Sequence, residues 1–288
     1  MSAALVAQAL VSGLLIGFVF ALIAAGLTLI FGVMEIVNFA HGEFLMLSMY
    51  LSYFLHAGLG WDPIAALPVN AVALFALGVL VYYALIRRVL RAPMLAQIFA
   101  TFGLGVFLQN GAQFLWRPDF RTLGDTWVTG RIALAGVFVS GPQLTAAAGA
   151  VITTGALWWL LSRTEVGRAL LATAEDRQAA SLMGINPDRM FALAWGLGAA
   201  CVGVAGALLS TFYYVFPQVG GVFALIAFVA VALGGFGSVV GAFAGGVLIG
   251  VVESLAGVFV APAVKNLFVF AIYLVVVLLR PRGLVGKQ

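Results

Sequence analysis

Uncharged runs and isolated polar blocks alternate along this chain, and the runs are long. Residues 1–34, 63–86, 92–116, 132–162 and 190–252 contain no Asp, Glu, Lys or Arg. Crossing about 30 Å of hydrocarbon at 1.5 Å per residue takes about 20 apolar residues, so every run is long enough to span a bilayer. The apolar stretches are continuous rather than alternating, which predicts helices and excludes the strands of a closed barrel. The expected spans are 5–31, 39–57, 64–86, 94–116, 143–161, 190–215, 222–252 and 262–280, eight in all. The run 190–252 holds 63 uncharged residues, about 95 Å as helix; two tilted spans fit it, and so do three crossings with a break. Residues 233–250 carry seven glycines in eighteen. Glycine is costly inside a helix, so a re-entrant or discontinuous segment is expected there, buried in protein or lining a wet cavity. The fold class is therefore all-α, a polytopic membrane protein of about eight transmembrane helices with a discontinuous Gly-rich segment, in a single domain over 1–288.

Composition narrows the picture. Of 288 residues, 64% are hydrophobic and 8% charged, against about 45–50% apolar and about 25% charged in soluble domains. This excludes a water-soluble globule, a disordered chain and a disulfide scaffold. The one cysteine, Cys201, lies in an apolar run and reads as a small packing residue. Residues 1–31 lack a basic leading segment and run into Gly32 and Val33 without a small-x-small cleavage pattern, so they read as the first membrane segment. The net charge of +4 follows from arginines beside hydrophobic segments, the positive-inside bias, and calls for no nucleic acid. Three basic clusters are expected in the cytoplasm: Arg87, Arg88 and Arg91; Arg163, Arg168, Arg177 and Arg189; and Arg280, Arg282 and Lys287. The stretch 117–142 then faces outward. Three spans between 190 and 279 leave the last cluster on the wrong side, whereas two or four put it inside. Gly237, Gly241 and Gly245, like Gly246 and Gly250 or Gly13 and Gly17, recur every four residues. Such ridges serve tight helix packing or a subunit or gating interface.

Polar residues inside hydrophobic regions carry a desolvation cost and mark candidate paths. The densest group is Glu35-Ile-Val-Asn38-Phe39-Ala-His41-Gly42-Glu43. If helical, Asn38 and His41 share a face and His41 is in reach of Glu35. If unwound, free backbone groups join the side chains in a polar lining near the membrane centre; a plain interfacial loop is the third reading. A metal at His41 is not expected, because His56 is the only other histidine and no cysteine accompanies it. Gln109 and Asn110 are the next pair, either interhelical hydrogen-bond glue or part of a permeation path. Glu253 and Lys265 flank the last hairpin, where snorkelling to the headgroups accounts for them.

The stretch 163–189 is unlike the rest, with four arginines, four acids and an apolar stripe of Leu170, Leu171, Ala174, Leu182 and Met183. Thr173, Glu175 and Asp176 suit a helix start, Gly184 a helix end, and Pro187 prevents continuation. A short amphipathic helix on the cytoplasmic face lies on lipid or in a partner's groove. Its balanced charge favours the partner.

The string Gln178-Ala179-Ala180-Ser-Leu-Met183-Gly184 resembles the EAA-x-x-x-G loop by which permease subunits of bacterial ABC importers dock onto their ATPases, with Gln in place of Glu and without the distal Ile-x-Leu-Pro. Ala174-Glu-Asp-Arg-Gln-Ala-Ala-Ser-Leu-Met-Gly-Ile-Asn186 is similar to the branched-chain amino acid permease family of the LivH type. So is Gly26-Leu-Thr-Leu-Ile-Phe-Gly-Val-Met-Glu-Ile-Val-Asn-Phe-Ala-His-Gly-Glu-Phe44. Ala232-Leu-Gly-Gly-Phe-Gly-Ser-Val-Val-Gly241 and Arg280-Pro-Arg-Gly-Leu-Val-Gly286 fit as well, so the resemblance runs from the first span to the last. It implies half of a membrane pore in the bacterial inner membrane, paired with a second homologous permease, two cytoplasmic ABC ATPase subunits and a periplasmic substrate-binding protein. It further implies a coupling helix over 168–186, with Arg168, Glu175, Asp176, Arg177, Ala179, Ala180, Met183, Gly184 and Asn186 facing the ATPase. The substrate path is expected at Asn38, Phe39, His41, Gly42, Glu43, Gln109 and Asn110. No cofactor is implied.

ATP hydrolysis is expected on other chains. A Walker A motif needs Lys followed by Ser or Thr, and neither Lys265 nor Lys287 is. A urea or short-chain amide permease shares the Asn-x-Ala-His-Gly-Glu block and remains a close variant. An ion-gradient carrier using Glu35, His41 and Glu43 as a relay is the other class, but it has no use for a docking helix. A membrane enzyme has weak support, with two histidines and no paired nucleophile and base.

Overall fold

The structure is a computed structural model and describes residues 3–134, 136–280 and 283–284. Helix α1 (Ala3–Met34) and helix α9 (Pro187–Leu209) form the centre; 78% of the apolar window of each is buried inside the chain. Around them stand α2 (His41–Leu59), α3 (Leu67–Val81), α5 (Met94–Trp116) and α6 (Gly141–Arg163). Helix α3 continues through a π turn, Tyr82–Ile86, into α4 (Arg87–Val89). Two short helices, α7 (Glu165–Glu175) and α8 (Arg177–Leu182), precede α9. The chain ends in α10 (Val219–Gly234), α11 (Val239–Phe259) and α12 (Lys265–Leu279). A small antiparallel hairpin, β1 (Arg131–Leu134) and β2 (Val137–Ser140), lies between α5 and α6 and has no counterpart in the expected elements.

Among the described residues six helices are long and apolar enough to cross a membrane, and α10 and α12 are shorter apolar helices; the protein is an all-α, multi-pass protein of the inner membrane. The expected span over 222–252 is two helices. At 16 residues α10 covers about 24 Å before the chain turns back. Gly235 and Gly237 take φ of +103° and +82° there, backbone that L side chains rarely adopt. Ser238 then caps α11, its Oγ accepting from Gly241 N at 3.0 Å. The discontinuity lies where the glycines predict it, as a tight turn of an antiparallel pair.

That turn also settles the parity. Four helices now run between 187 and 279, and Leu284 N donates to Leu233 O at 2.8 Å beside the α10–α11 turn. Gly237 N donates to Thr28 Oγ1 at 3.0 Å, so the C-terminal half of α1 meets the same turn. Arg282 and Lys287 of the last basic cluster lie outside the described residues.

The glycine ridges serve packing within the chain. A Cβ at Gly13 would stand 2.8 Å from Gly250 O, and at Gly17 3.0 Å from the backbone of Val247. Gly246 lies equally close to the Ala21 backbone, and Gly241 and Gly245 face Gly234 and Ala230 across the α10–α11 turn. The ridges are thus filled by this chain's own helices rather than left for a gate or a second subunit.

Opposite the turn, backbone ties close the outer face. Arg121 and Val215 exchange backbone hydrogen bonds of 2.9 and 2.8 Å. The Asp62 carboxylate accepts from Ile64 N and from Trp127 N, at 2.8 and 2.6 Å.

Candidate substrate path and docking face

The polar block after α1 is unwound. α1 ends at Met34, Glu35 takes φ +58°, and the chain turns back into the protein before α2 begins at His41. His41 Nε2 lies 3.0 Å from Ile23 O. A carbonyl only accepts, so Nε2 carries the proton. Ile23 is eleven residues before the end of α1, so α2 starts about 16 Å inside the end of α1. Of the three readings, the unwound segment is the one seen, turned back into the bundle, and His41 does not face Glu35.

The block is closely enclosed. Asn38 Oδ1 accepts from Ala40 N at 3.1 Å. Gly42 lies against the backbone of Gly220 at the start of α10, and Glu43 lies against Gly220 from the other side. Gly105 of α5 fits beside Ala40, its nearest contact a would-be Cβ at 3.5 Å. Thr101 Oγ1 donates to Val37 O at 3.1 Å. Among the described residues, Asn38 Nδ2, His41 Nδ1 and Glu43 Oε2 are buried with no partner. Each such atom costs about 1–3 kcal/mol, and three in six residues are not what stability alone selects. Within 38–43 only Phe39 is exposed, its ring 5.1 Å from that of Phe228. Asn38, Phe39, His41, Gly42 and Glu43 are therefore clustered, but all except Phe39 are buried in this conformation, Gly42 and Glu43 beneath Gly220 of α10 and His41 against α1. Gln109 and Asn110 stand apart on α5, one turn beyond Gly105, and exposed Asn110 donates to Val106 O of its own helix at 2.8 Å.

The segment expected to be one coupling helix is two. Thr164 caps α7, accepting from Gly167 N at 3.1 Å, and α7 buries Gly167, Leu170 and Thr173. Asp176 takes extended backbone (φ −150°) and breaks the helix, then caps α8 by accepting from Gln178 N and Ala179 N at 2.7 and 3.0 Å. Thus Asp176 starts α8, whereas Glu175 ends α7. Gly184 closes α8 with φ +83°. Pro187 does not merely stop α8; it opens α9, with Asn186 Oδ1 accepting from Arg189 N at 3.2 Å. Asp176 and Asn186 are thus committed to capping and Ala180 to packing. Arg168 pairs loosely with Glu165 at 3.9 Å on the surface.

What the tip offers is apolar. Leu182 and Met183 are 89% and 83% exposed, side by side before the Gly184 turn. Beside them a cleft of about 800 Å³ is lined by Arg87, Arg88, Arg91 and Arg177. Arg177 Nη2 donates to Met34 O at 3.2 Å, and its guanidinium sits 4.9 Å from the Phe191 ring centre. This arginine joins the exposed tip to the end of α1, where the unwound block begins. Arg87 pairs with Asp188 at 2.7 Å, tying α4 to α9, and Tyr82 donates to the same carboxylate at 3.1 Å. Sequence reasoning missed the Arg177–Met34 link. It also missed Asn70, whose Oδ1 accepts from Ser48 Oγ at 2.9 Å across α2 and α3; an Asn in an apolar run was the available signal.

A helical bundle with a polar break inside it and an exposed apolar tip is the build of a transporter's membrane subunit. Residues 9–278 match the family described as branched-chain amino acid transport system / permease component, and the chain belongs to that family. It is 33% identical to the high-affinity branched-chain amino acid transport system permease protein LivH of Escherichia coli, covering 97% of this chain and 95% of the relative. Identity is also 33% to BraD of Pseudomonas aeruginosa, with the same coverage. A probable LivH of Methanocaldococcus jannaschii is 28% identical over 92% of this chain and 88% of its own. No solved structure matches the chain.

Proposed function

We propose that this chain is the permease subunit that carries branched-chain amino acids across the inner membrane, energised by ATP hydrolysed on separate subunits. The second permease, the two ATPases and the periplasmic binding protein belong to this reading, with the tip at Leu182 and Met183 as the ATPase contact. The observation that carries it is the join at Arg177. The same side chain that flanks the bare tip holds the end of α1, so a push on α8 reaches the segment 35–40. Two-state movement of that segment and α10 would uncover Asn38, His41 and Glu43, consistent with alternating access. The family match favours amino acids over urea. The test is uptake into proteoliposomes. The permease pair alone should not concentrate leucine, and the pair with its ATPases and ATP should. Concentration of leucine by the pair alone, driven by an ion gradient, overturns the reading.

A further inference from the structure

Glu253 and Lys265 pair with each other. Glu253 sits fourteen residues into α11 from Val239, about 21 Å from the turn end, and its carboxylate meets Lys265 Nζ at 2.5 Å. The Glu253 side chain is 12% exposed and Oε2 has no partner among the described residues, while Lys265 is 43% exposed. Both line a cavity of about 550 Å³ among α1, α10, α11 and α12, on the outer side. That volume is in the range of about 300–1,000 Å³ typical of small-molecule sites. Phe20, Tyr213, Phe223, Ile226 and Val258 supply its apolar walls. A second apolar slot shares Val222, Ile226 and Asn266 with it and runs along α10 past Val229 toward Val269.

The geometry points to a binding subsite for zwitterionic, aliphatic amino acids, with Glu253 taking the α-ammonium and Lys265 the α-carboxylate. This rests on the transport function proposed above and names a site that function does not require. The charges decide the ligand class. The pair is neutral, and a zwitterion inserted between its members leaves the site neutral with two ion pairs in place of one. A lone cation or anion would leave an uncompensated charge inside the membrane region, which is the costly arrangement. The unpartnered Oε2 gives the incoming ammonium an acceptor already stripped of water. Urea offers neither charge. Beyond the two heads, Phe223, Ile226 and Val258 offer a branched aliphatic side chain an apolar seat.

The importer purified as a complex, carrying Val258→Cys, tests this. Val258 is exposed to the cavity and the native Cys201 is buried, so a maleimide reads the cavity. Leucine should slow labelling, and leucinamide and 4-methylpentanoate, each with one charge, should not. Adding Glu253→Gln and Lys265→Met should raise the half-protecting leucine concentration at least about tenfold, the worth of one charged hydrogen bond. Equal protection by the single-charge analogues, or by leucine in the uncharged variant, overturns the subsite, as does no protection at all. Should the double variant fail to assemble, the analogue comparison answers alone. ATP-dependent leucine uptake measured on the same preparation separates this failure from failure of the transport reading.

Discussion

Replacing Arg177 with methionine removes the join between the α8 tip and the end of α1 while keeping a long apolar stem over Phe191. The wild-type guanidinium donates to Met34 O at 3.2 Å and covers the Phe191 ring at 4.9 Å. A hydrogen bond from a charged group contributes about 1.5–3 kcal/mol, and a cation–π contact at an exposed site about 0.5–1 kcal/mol. Arg177 is largely exposed, so water competes for the bond and the lower end applies, about 2 kcal/mol in all. If that energy couples α8 to α1, its loss shifts the coupling equilibrium about 30-fold. The expected phenotype is specific. Arg177→Met complexes assemble and hydrolyse ATP, but leucine moved per ATP falls by at least about tenfold. Side-by-side uptake and phosphate-release assays in proteoliposomes measure the ratio. An unchanged ratio refutes the lever, and a complex that fails to assemble would make Arg177 a structural residue instead.

Four other changes probe three separate parts. Met183→Asp puts a charge on the bare tip and should abolish co-purification of the ATPases, with membrane insertion of the permease unaltered by protease protection. Glu43→Gln keeps the shape but loses the carboxylate, and Asn38→Leu removes the unpartnered Nδ2 together with the acceptor of Ala40 N; these effects oppose, so stability should change by no more than about 1–3 kcal/mol while transport drops, and variants that instead fail to insert would make the block structural. Gly250→Leu drives a side chain into the Gly17 backbone, so it should cost more than the about 1–3 kcal/mol of ordinary overpacking and cut the folded yield seen by size-exclusion chromatography.

The helices were legible because hydrocarbon forces continuous apolar runs, and the glycines at 233–250 marked the right place for a break. Their meaning was ambiguous, since one glycine serves equally as turn, as contact or as kink. Gly235 and Gly237 are the turn, while Gly241 and Gly245 are contacts. The position of α2 was not legible. Asn38, His41 and Glu43 carry the same letters at a membrane surface or 16 Å within, roughly eleven helical residues deep, and only the bond from His41 to Ile23 decides. The segment 163–189 was legible as amphipathic, but Asp176 reads equally well as a residue of a first turn or as the cap it is. Long-range pairs such as Arg177 with Met34 and Glu253 with Lys265 have no local signature at all.

The central claim is that movement of the tip reaches the segment between α1 and α2. Spin labels at Leu182→Cys and Phe39→Cys, with the buried Cys201 unreactive, report the distance between the two by double electron–electron resonance in the complete importer. Switching from nucleotide-free to ATP-trapped complex should shift that distance, and Arg177→Met should remove the shift. A distance that stays fixed through the ATP cycle while leucine is still transported contradicts the account.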